Sequence, residues 1–435
     1  MKKWKKMKNW ISISIISIAV LTPCVLGVSV VSEFPICTNG YIDYFPAEYI
    51  GIYGKIVVWY DNRNGNDDIY GYDLSTSTEF PICTLGSNQR DPAIYGNIVV
   101  WTDNRNGNSD IYGYDLSTST EFPICTQGND QYLPAIYGNT VIWNDRRNAG
   151  WGDIYGYNLS TSTEFPICTQ GSCLFSPAIY GNLVAWEDNR NGNRDIYGYN
   201  LSTSTEFPIC TLGGEQCGPA VYCDTVVWFD YRNGNPDIYG CNLATSAEFP
   251  ICIAVPSQLF PTIYGNIVVW QDNRNGNDDI YGYDLSTSTE FPVCTVQEQS
   301  TYPSIYGNIV VWQDNRNGQP DMYGAELGGL TPSLCLPKQN PDLENRDTNK
   351  LMRSLASYRI SEAQSILEEM QKTCTELKNE NDPLYSACCA DQLDEATEYI
   401  EMAEKFFMGG NYIAANYWAI KALDLLQEIK ECCQE

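Results

Sequence analysis

Residues 92–126 read PAIYGNIVVWTDNRNGNSDIYGYDLSTSTEFPICT, and close copies of this text fill residues 33–327. Its tryptophan recurs as Trp59, Trp101, Trp143, Trp186, Trp228, Trp270 and Trp312, at steps of 42 or 43 residues. Residues 92–95 form a short strand ended by the Gly96-Asn97 turn. The β-branched run 98–101 suits a strand buried on both faces. Asn106-Gly107 favours positive φ and therefore a hairpin. Residues 110–116 give a third strand and 121–126 a fourth. Pro123 has no amide to donate, which confines the fourth strand to an edge. Four short strands per repeat are a propeller blade, so seven copies predict a mainly β, seven-bladed β-propeller.

The text also indicates how the ring closes. F-P-[IV]-C and D-[IM]-Y-G each occur seven times, but the first F-P-I-C, at 34–37, precedes any blade. The seventh blade instead runs into Gly328-Gly329 without one. Residues 33–38 are therefore expected to complete the last blade as an N-terminal latch. The alternative is that 334–336 supplies that strand.

Charge and composition narrow the function. The chain carries 26 Lys+Arg against 54 Asp+Glu, a net −28, and no histidine. Such a field repels nucleic acid and anionic lipid. The missing imidazole removes Ser-His-Asp and Cys-His catalysis and His-ligated zinc. Lys2, Lys3, Lys5, Lys6 and Lys8 precede an apolar stretch, which marks residues 1–32 as an export signal peptide or an uncleaved N-terminal anchor. Small residues near Gly27 and Ser32 offer cleavage sites. Either way the protein is expected to be exported, to the cell surface or the exterior, touching membrane only through an uncleaved leader.

Each blade repeats an Asp-Arg-Asp set, such as Asp61, Arg63 and Asp68, or Asp272, Arg274 and Asp279. The expected role is structural, an arginine clamped by two carboxylates. An oxygen-rich calcium loop is the alternative, which arginine at the third position disfavours. No cofactor or other metal is expected. The periodic cysteines Cys37, Cys83, Cys125, Cys168, Cys210, Cys252 and Cys294 read as free, buried, small hydrophobes. Cys173 and Cys217 occupy matching inter-blade loops and are candidates for a bridge.

Strand text hardly varies between copies, whereas the loops before the inner strands do. Arg90, Asp91, Tyr132, Leu133, Phe175, Leu259, Phe260 and Tyr302 are expected to gather around one mouth of the ring as an asymmetric, partly aromatic rim. Loops on a rigid scaffold are where binding residues concentrate, and exposed aromatics anchor partners. Asn158 and Asn200 begin N-x-S glycosylation sequons on turns at the opposite face. Glu187, Glu215 and Glu298 stand outside the repeated text with no partner evident.

After a linker at 328–342 the composition turns to Glu, Lys, Leu and Ala. Helical spacing in 343–435, with a start at Asp382-Pro383 and a stop at Gly409-Gly410, predicts three antiparallel helices. Folding at these breaks gathers Cys374, Cys388, Cys389, Cys432 and Cys433 at one end, as disulfide candidates in an exported chain. A thiolate metal site there is the alternative, without C-x-x-C spacing.

The D-x-R-x-G-N-x-D-I-Y text resembles the TolB-like family of propeller repeats, especially those of archaeal cell-surface proteins. The stretch 403–426, with G-N-Y-x-x-A and K-A-L, resembles a tetratricopeptide-type helical hairpin. The TolB-like resemblance implies the fold and a range of uses, from binding modules to non-catalytic domains of peptidases. The expectation is an exported or cell-surface module, not an enzyme, that recognises a protein or glycan through one propeller face. The alternatives are a carboxylate-based glycosidase or lyase, and a purely structural envelope component.

Overall fold

In the second blade the strands Gln89–Tyr95, Ile98–Asp103, Asp110–Asp115 and Thr120–Cys125 run as one antiparallel meander. Seven such four-stranded sheets make up the propeller. The computed structural model describes residues 27–39, 50–148, 150–173 and 177–330, and helical positions between 357 and 426.

The second strand of each blade is the buried one. Val99, Val100 and Trp101 are 0% exposed because neighbouring blades cover both faces. Hydrophobic clusters accordingly straddle blade junctions: Val58, Tyr60 and Ile69 of the first blade pack with Ile94, Val99 and Trp101 of the second. Burying each tryptophan in this way stabilises the ring by roughly 3 kcal/mol.

The outer strand lies at the edge, where its proline is tolerated. Its phenylalanine explains the glycine of D-I-Y-G. A Cβ added at Gly113 would meet the Phe122 ring at 2.8 Å. The phenyl ring occupies the space that a side chain on the third strand would take.

The N-terminal strand Ser29–Cys37 pairs antiparallel with Asp321–Gly328, with Phe34 opposite Gly324. The seventh blade is thus closed by the latch. The strand begins four residues before the expected boundary at 33, because Val28 is buried against Leu327 in the same junction core. Residues 1–26 and 334–336 lie outside the described residues. No helix among the described residues is long and apolar enough to cross a membrane.

Lys338–Glu435 forms a second unit. It holds a helix over Ala390–Met408. Leu393, Ala396 and Ile400 of that helix share a core with Ala363, Leu367 and Met370, and with Ala422 and Leu426. Cys374, Cys388, Cys389, Cys432 and Cys433 lie outside the described residues.

Candidate functional site

The repeated polar set is engaged mainly within its own blade, with one contact to the preceding blade. Arg63 Nε donates to Asp61 Oδ1 at 2.8 Å, and its Nη2 donates to Glu79 Oε2 at 3.2 Å. Its guanidinium carbon lies 3.9 Å from the Tyr70 ring centroid, and Nη2 contacts Cys37 Sγ of the preceding blade at 3.8 Å. Asp61 also accepts from Trp59 Nε1 at 3.1 Å. The sixth blade repeats this with Arg274, Asp272, Glu290 and Tyr281.

One member of the expected clamp is corrected. The second carboxylate is Glu79 or Glu290 on the outer strand, not Asp68 or Asp279. Asp68 instead accepts from Asn64 and Asn66, each at 2.7 Å, and Asp279 from Asn275 at 2.7 Å and Asn277 at 2.9 Å. The cause is the tyrosine face, which draws the arginine across the third strand toward the outer one. The hairpin amides are left to the second aspartate.

The periodic cysteines are free and buried. Burial pushes the thiol of Cys83 up to about 12, helped by Glu121. Cys173 and Cys217 are not bridged to one another. Both are free, each buried in its own junction core.

The variable rim is built on a bulge. In five blades the inner strand slips register against its neighbour near its start, between Arg90 and Ala93, Tyr132 and Ala135, Cys217 and Ala220, Leu259 and Thr262, and Thr301 and Ser304. At the bulge the backbone turns left-handed at Asp91 (φ 54°), Leu133 (57°), Phe260 (52°) and Tyr302 (52°). Among the described residues the fifth blade alone uses glycine there, Gly218. Side chains with a Cβ carry a cost of about 1–3 kcal/mol in this region.

The rim residues fall into distinct groups. Phe260 and Tyr302 have ring centroids 4.8 Å apart, and Phe229 lies 5.7 Å from Phe260 and 6.0 Å from Tyr231. Leu259 packs against the same cluster. Arg90, half exposed, is paired with Asp67 across the first blade junction. Tyr132 lies under Arg146, 4.9 Å from its guanidinium carbon. Leu133 donates its amide to Thr102 Oγ1 at 3.2 Å. Phe175 lies outside the described residues.

An acidic pair joins the rim at the fourth junction. Arg194 Nε donates to Glu215 Oε2 at 2.6 Å, and its Nη1 lies 3.6 Å from Glu187 Oε2. Glu187 also accepts the Gly218 amide at 2.7 Å. So Glu187 and Glu215, partnerless in the sequence, converge on one arginine. Phe229, Tyr231 and Arg194 were not foreseen. A signal existed, since Glu187 and Phe229 occupy the variable position of W-x-D, and Arg194 that of R-N-G-N-x-D.

The opposite mouth is uniform. Tyr53, Tyr95, Tyr137, Tyr180, Tyr222, Tyr264 and Tyr306 form a complete collar, with neighbouring centroids 4.6–5.0 Å apart. Burial raises the hydroxyl of Tyr95 above its ordinary range, and Tyr137 and Tyr53 on either side raise it further. On the same side Asn158 Oδ1 accepts from Ser160 Oγ at 2.7 Å, and Asn200 likewise from Ser202.

No protein-family model and no curated protein sequence matches the chain. Solved structures are similar in fold. The β-propeller domain of the Trilobed protease from Pyrococcus furiosus has a TM-score of 0.52 at 13% identity, over 67% of this chain and 98% of that one. It was described with an open velcro topology, whereas here Ser29–Cys37 latches the ring. An oligogalacturonate lyase in complex with manganese gives 0.50 at 14% identity, over 69% of this chain and 97% of that one. TolB from Acinetobacter baumannii gives 0.39 at 13% identity, over 64% and 78%. The expectation that the chain is not an enzyme is corrected here, since an enzyme, the lyase, shares this propeller fold. At these identities the likeness of the protease propeller and the lyase establishes a β-propeller fold.

Proposed function

We propose that the chain is an exported or cell-surface binding module that recognises a protein or glycan partner through the bulged mouth of its propeller. The divergent side chains at Asp91, Leu133, Phe260 and Tyr302, set on equivalent left-handed points of the bulge, carry this reading. Four non-glycine residues of unrelated chemistry are held in a costly conformation at equivalent points of one mouth. The opposite turns hold the same φ with one repeated residue, Ser77, Ser119, Ser162, Ser204, Ser246 and Ser288, so it is the variety of side chains on strained backbone that sets the mouth apart. The text between those points is nearly invariant, so the mouth is where the copies have diverged.

Aromatic rings on the fifth to seventh blades and ion pairs at the first and fourth junctions divide the mouth into an apolar and a charged half. That arrangement suits a partner with one apolar face and a polar edge, as on a protein surface or a sugar ring. Export is read from residues 1–32, and the strand beginning at Ser29 favours a cleavage near Gly27, which leaves Val28 in the core.

The test applies the secreted full chain to a glycan array and to a set of surface proteins. Captured ligands should compete with one another and lose binding to Phe260→Ala. Ligands indifferent to Phe260→Ala would place recognition elsewhere.

A further inference from the structure

The ring departs from its own pattern at the junction of the third and fourth blades. Gln89, Gln131, Gln216 and Gln258, and Ser300 in the last blade, each sit opposite the aspartate of W-x-D in their blade. In the fourth blade that place opposite Asp188 belongs to Cys173. The periodic cysteine of the preceding outer strand, Cys168, lies beside it. The two sulfurs and an Asp188 carboxylate oxygen lie within 4.8 Å of one another.

The junction of the sixth and seventh blades shows the same contact with a different atom. There Cys294 Sγ and Ser300 Oγ are 3.4 Å apart. The fold therefore brings the γ atoms at these two positions together wherever both side chains are short. Among the described residues the fourth blade alone puts sulfur at both.

Two kinds of chemistry could use such a pair, a thiophilic metal or a covalent bond. Asp188 argues against the metal. Its Oδ1 accepts from Arg190 Nε at 2.8 Å, the Arg190 amide at 2.9 Å and Ser172 Oγ at 3.0 Å. Its Oδ2 accepts from Trp186 Nε1 at 3.1 Å and Arg190 Nη2 at 2.6 Å. Arg190 Nη2 also lies 3.7 Å from Cys168 Sγ, so a fixed positive charge borders the space a cation would enter. A neutral bond between the sulfurs meets neither obstacle.

We propose that Cys168 and Cys173 form a disulfide that staples the outer strand of the third blade to the start of the fourth. The oxidant is a low-molecular-weight disulfide, R–S–S–R. One cysteine thiolate attacks it, forming a mixed disulfide and releasing one R–S⁻. The second thiolate attacks the cysteine sulfur of the mixed disulfide and expels the other R–S⁻. Two cysteine thiols and one R–S–S–R thus give one protein disulfide and two R–SH. Cys168 is 2% exposed and Cys173 is 0%, so exchange precedes closure of the junction. The closed junction then shields the bond from reductants.

Trypsin supplies the test, because residues 148–190 form one peptide whose only cysteines are these two. The full chain is refolded with oxidised and reduced glutathione, then alkylated with iodoacetamide in denaturant without reductant. The peptide should emerge unlabelled and lighter by two hydrogens than its reduced form, and should take two labels only after reduction. The parent's unfolding midpoint should fall on reduction. Cys173→Gln, which installs the residue of the second, third, fifth and sixth blades, should fold and show no fall from this bond. Two labels without reduction, a cross-link from either cysteine to another peptide, or metal retained on the pair would each overturn the proposal.

Discussion

Glu33 accepts a hydrogen bond from Arg316, 283 residues further along the chain. It is the same contact that Glu79 makes with Arg63 and Glu121 with Arg105 inside single blades. The N-terminal strand therefore enters the seventh blade as a chemical equal of the outer strands. The latch reproduces the side-chain contacts of an outer strand along with its backbone ladder.

Removing the latch should accordingly cost far more than trimming a terminus. Deleting residues 33–38 takes Ile36 and Cys37 from a buried cluster and uncovers Gly324. At about 2 kcal/mol per lost apolar side chain, the melting temperature should fall by on the order of 10 °C. Differential scanning calorimetry checks this, and an unmoved transition would mean that the ring closes without the strand.

The glycine beneath each outer-strand phenylalanine gives a second expectation. Gly156→Ala places a Cβ 2.5 Å from the Phe165 ring and should destabilise by about 1–3 kcal/mol. Adding Phe165→Leu should recover part of that loss, because the clash is with the ring. Urea midpoints of the single and double variants measure the recovery; additive losses would place the glycine's role in the backbone instead.

Acid should weaken the ring through its buried aspartates. Burial alone would raise the Asp314 carboxyl, but hydrogen bonds from Arg316 and Trp312 hold it below the ordinary 3.8. Asp188 and Asp230 are depressed in the same way. A depressed folded value contributes stability that is present above 3.8 and lost as pH falls through the folded value. Urea midpoints should therefore hold steady from neutral pH to about 5 and drop below about 4. Asp314→Asn should cost about 3 kcal/mol at neutral pH, a difference that narrows in acid. A gap that stays constant down to strong acid would contradict the ion-pair account.

Base should act on the tyrosine collar. Burial, and then the neighbouring phenols, raise Tyr95, Tyr180 and Tyr306 above the ordinary 10.0. A raised folded value means stability present below 10.0 and lost as pH rises beyond it. Phenolate absorbance should show a late group of tyrosines that titrates together with loss of near-ultraviolet circular dichroism. Independent, normal titration of all tyrosines would mean that the collar is open to water.

Much of this was legible from the repeat, and the physics of the rest explains why it was not. The edge proline, the Asn-Gly hairpin and the orphan F-P-I-C each act within one blade or at one junction, so local text sufficed for the blade order and the latch. The arginine's second carboxylate was misassigned because Asp68 is near in sequence, while Glu79 is brought near only by pairing of the outer strand. The tyrosine of Y-G-N reads as the end of a strand in any one copy. Only closure of the ring makes seven of them a collar. Arg194, Glu187 and Glu215 come from neighbouring blades, and no single repeat contains their meeting.

The direct test of the binding mouth is calorimetric titration of a captured ligand into the intact chain and two sets of variants. Tyr132→Ala, Phe260→Ala and Tyr302→Ala together should weaken affinity at least about tenfold, roughly the 1.4 kcal/mol or more expected of aromatic anchors. Thr118→Ala, Thr161→Ala and Thr203→Ala, on the opposite turns, should leave it unchanged. Equal affinity in the parent and the aromatic triple variant, with both folded, would contradict recognition through the bulged mouth.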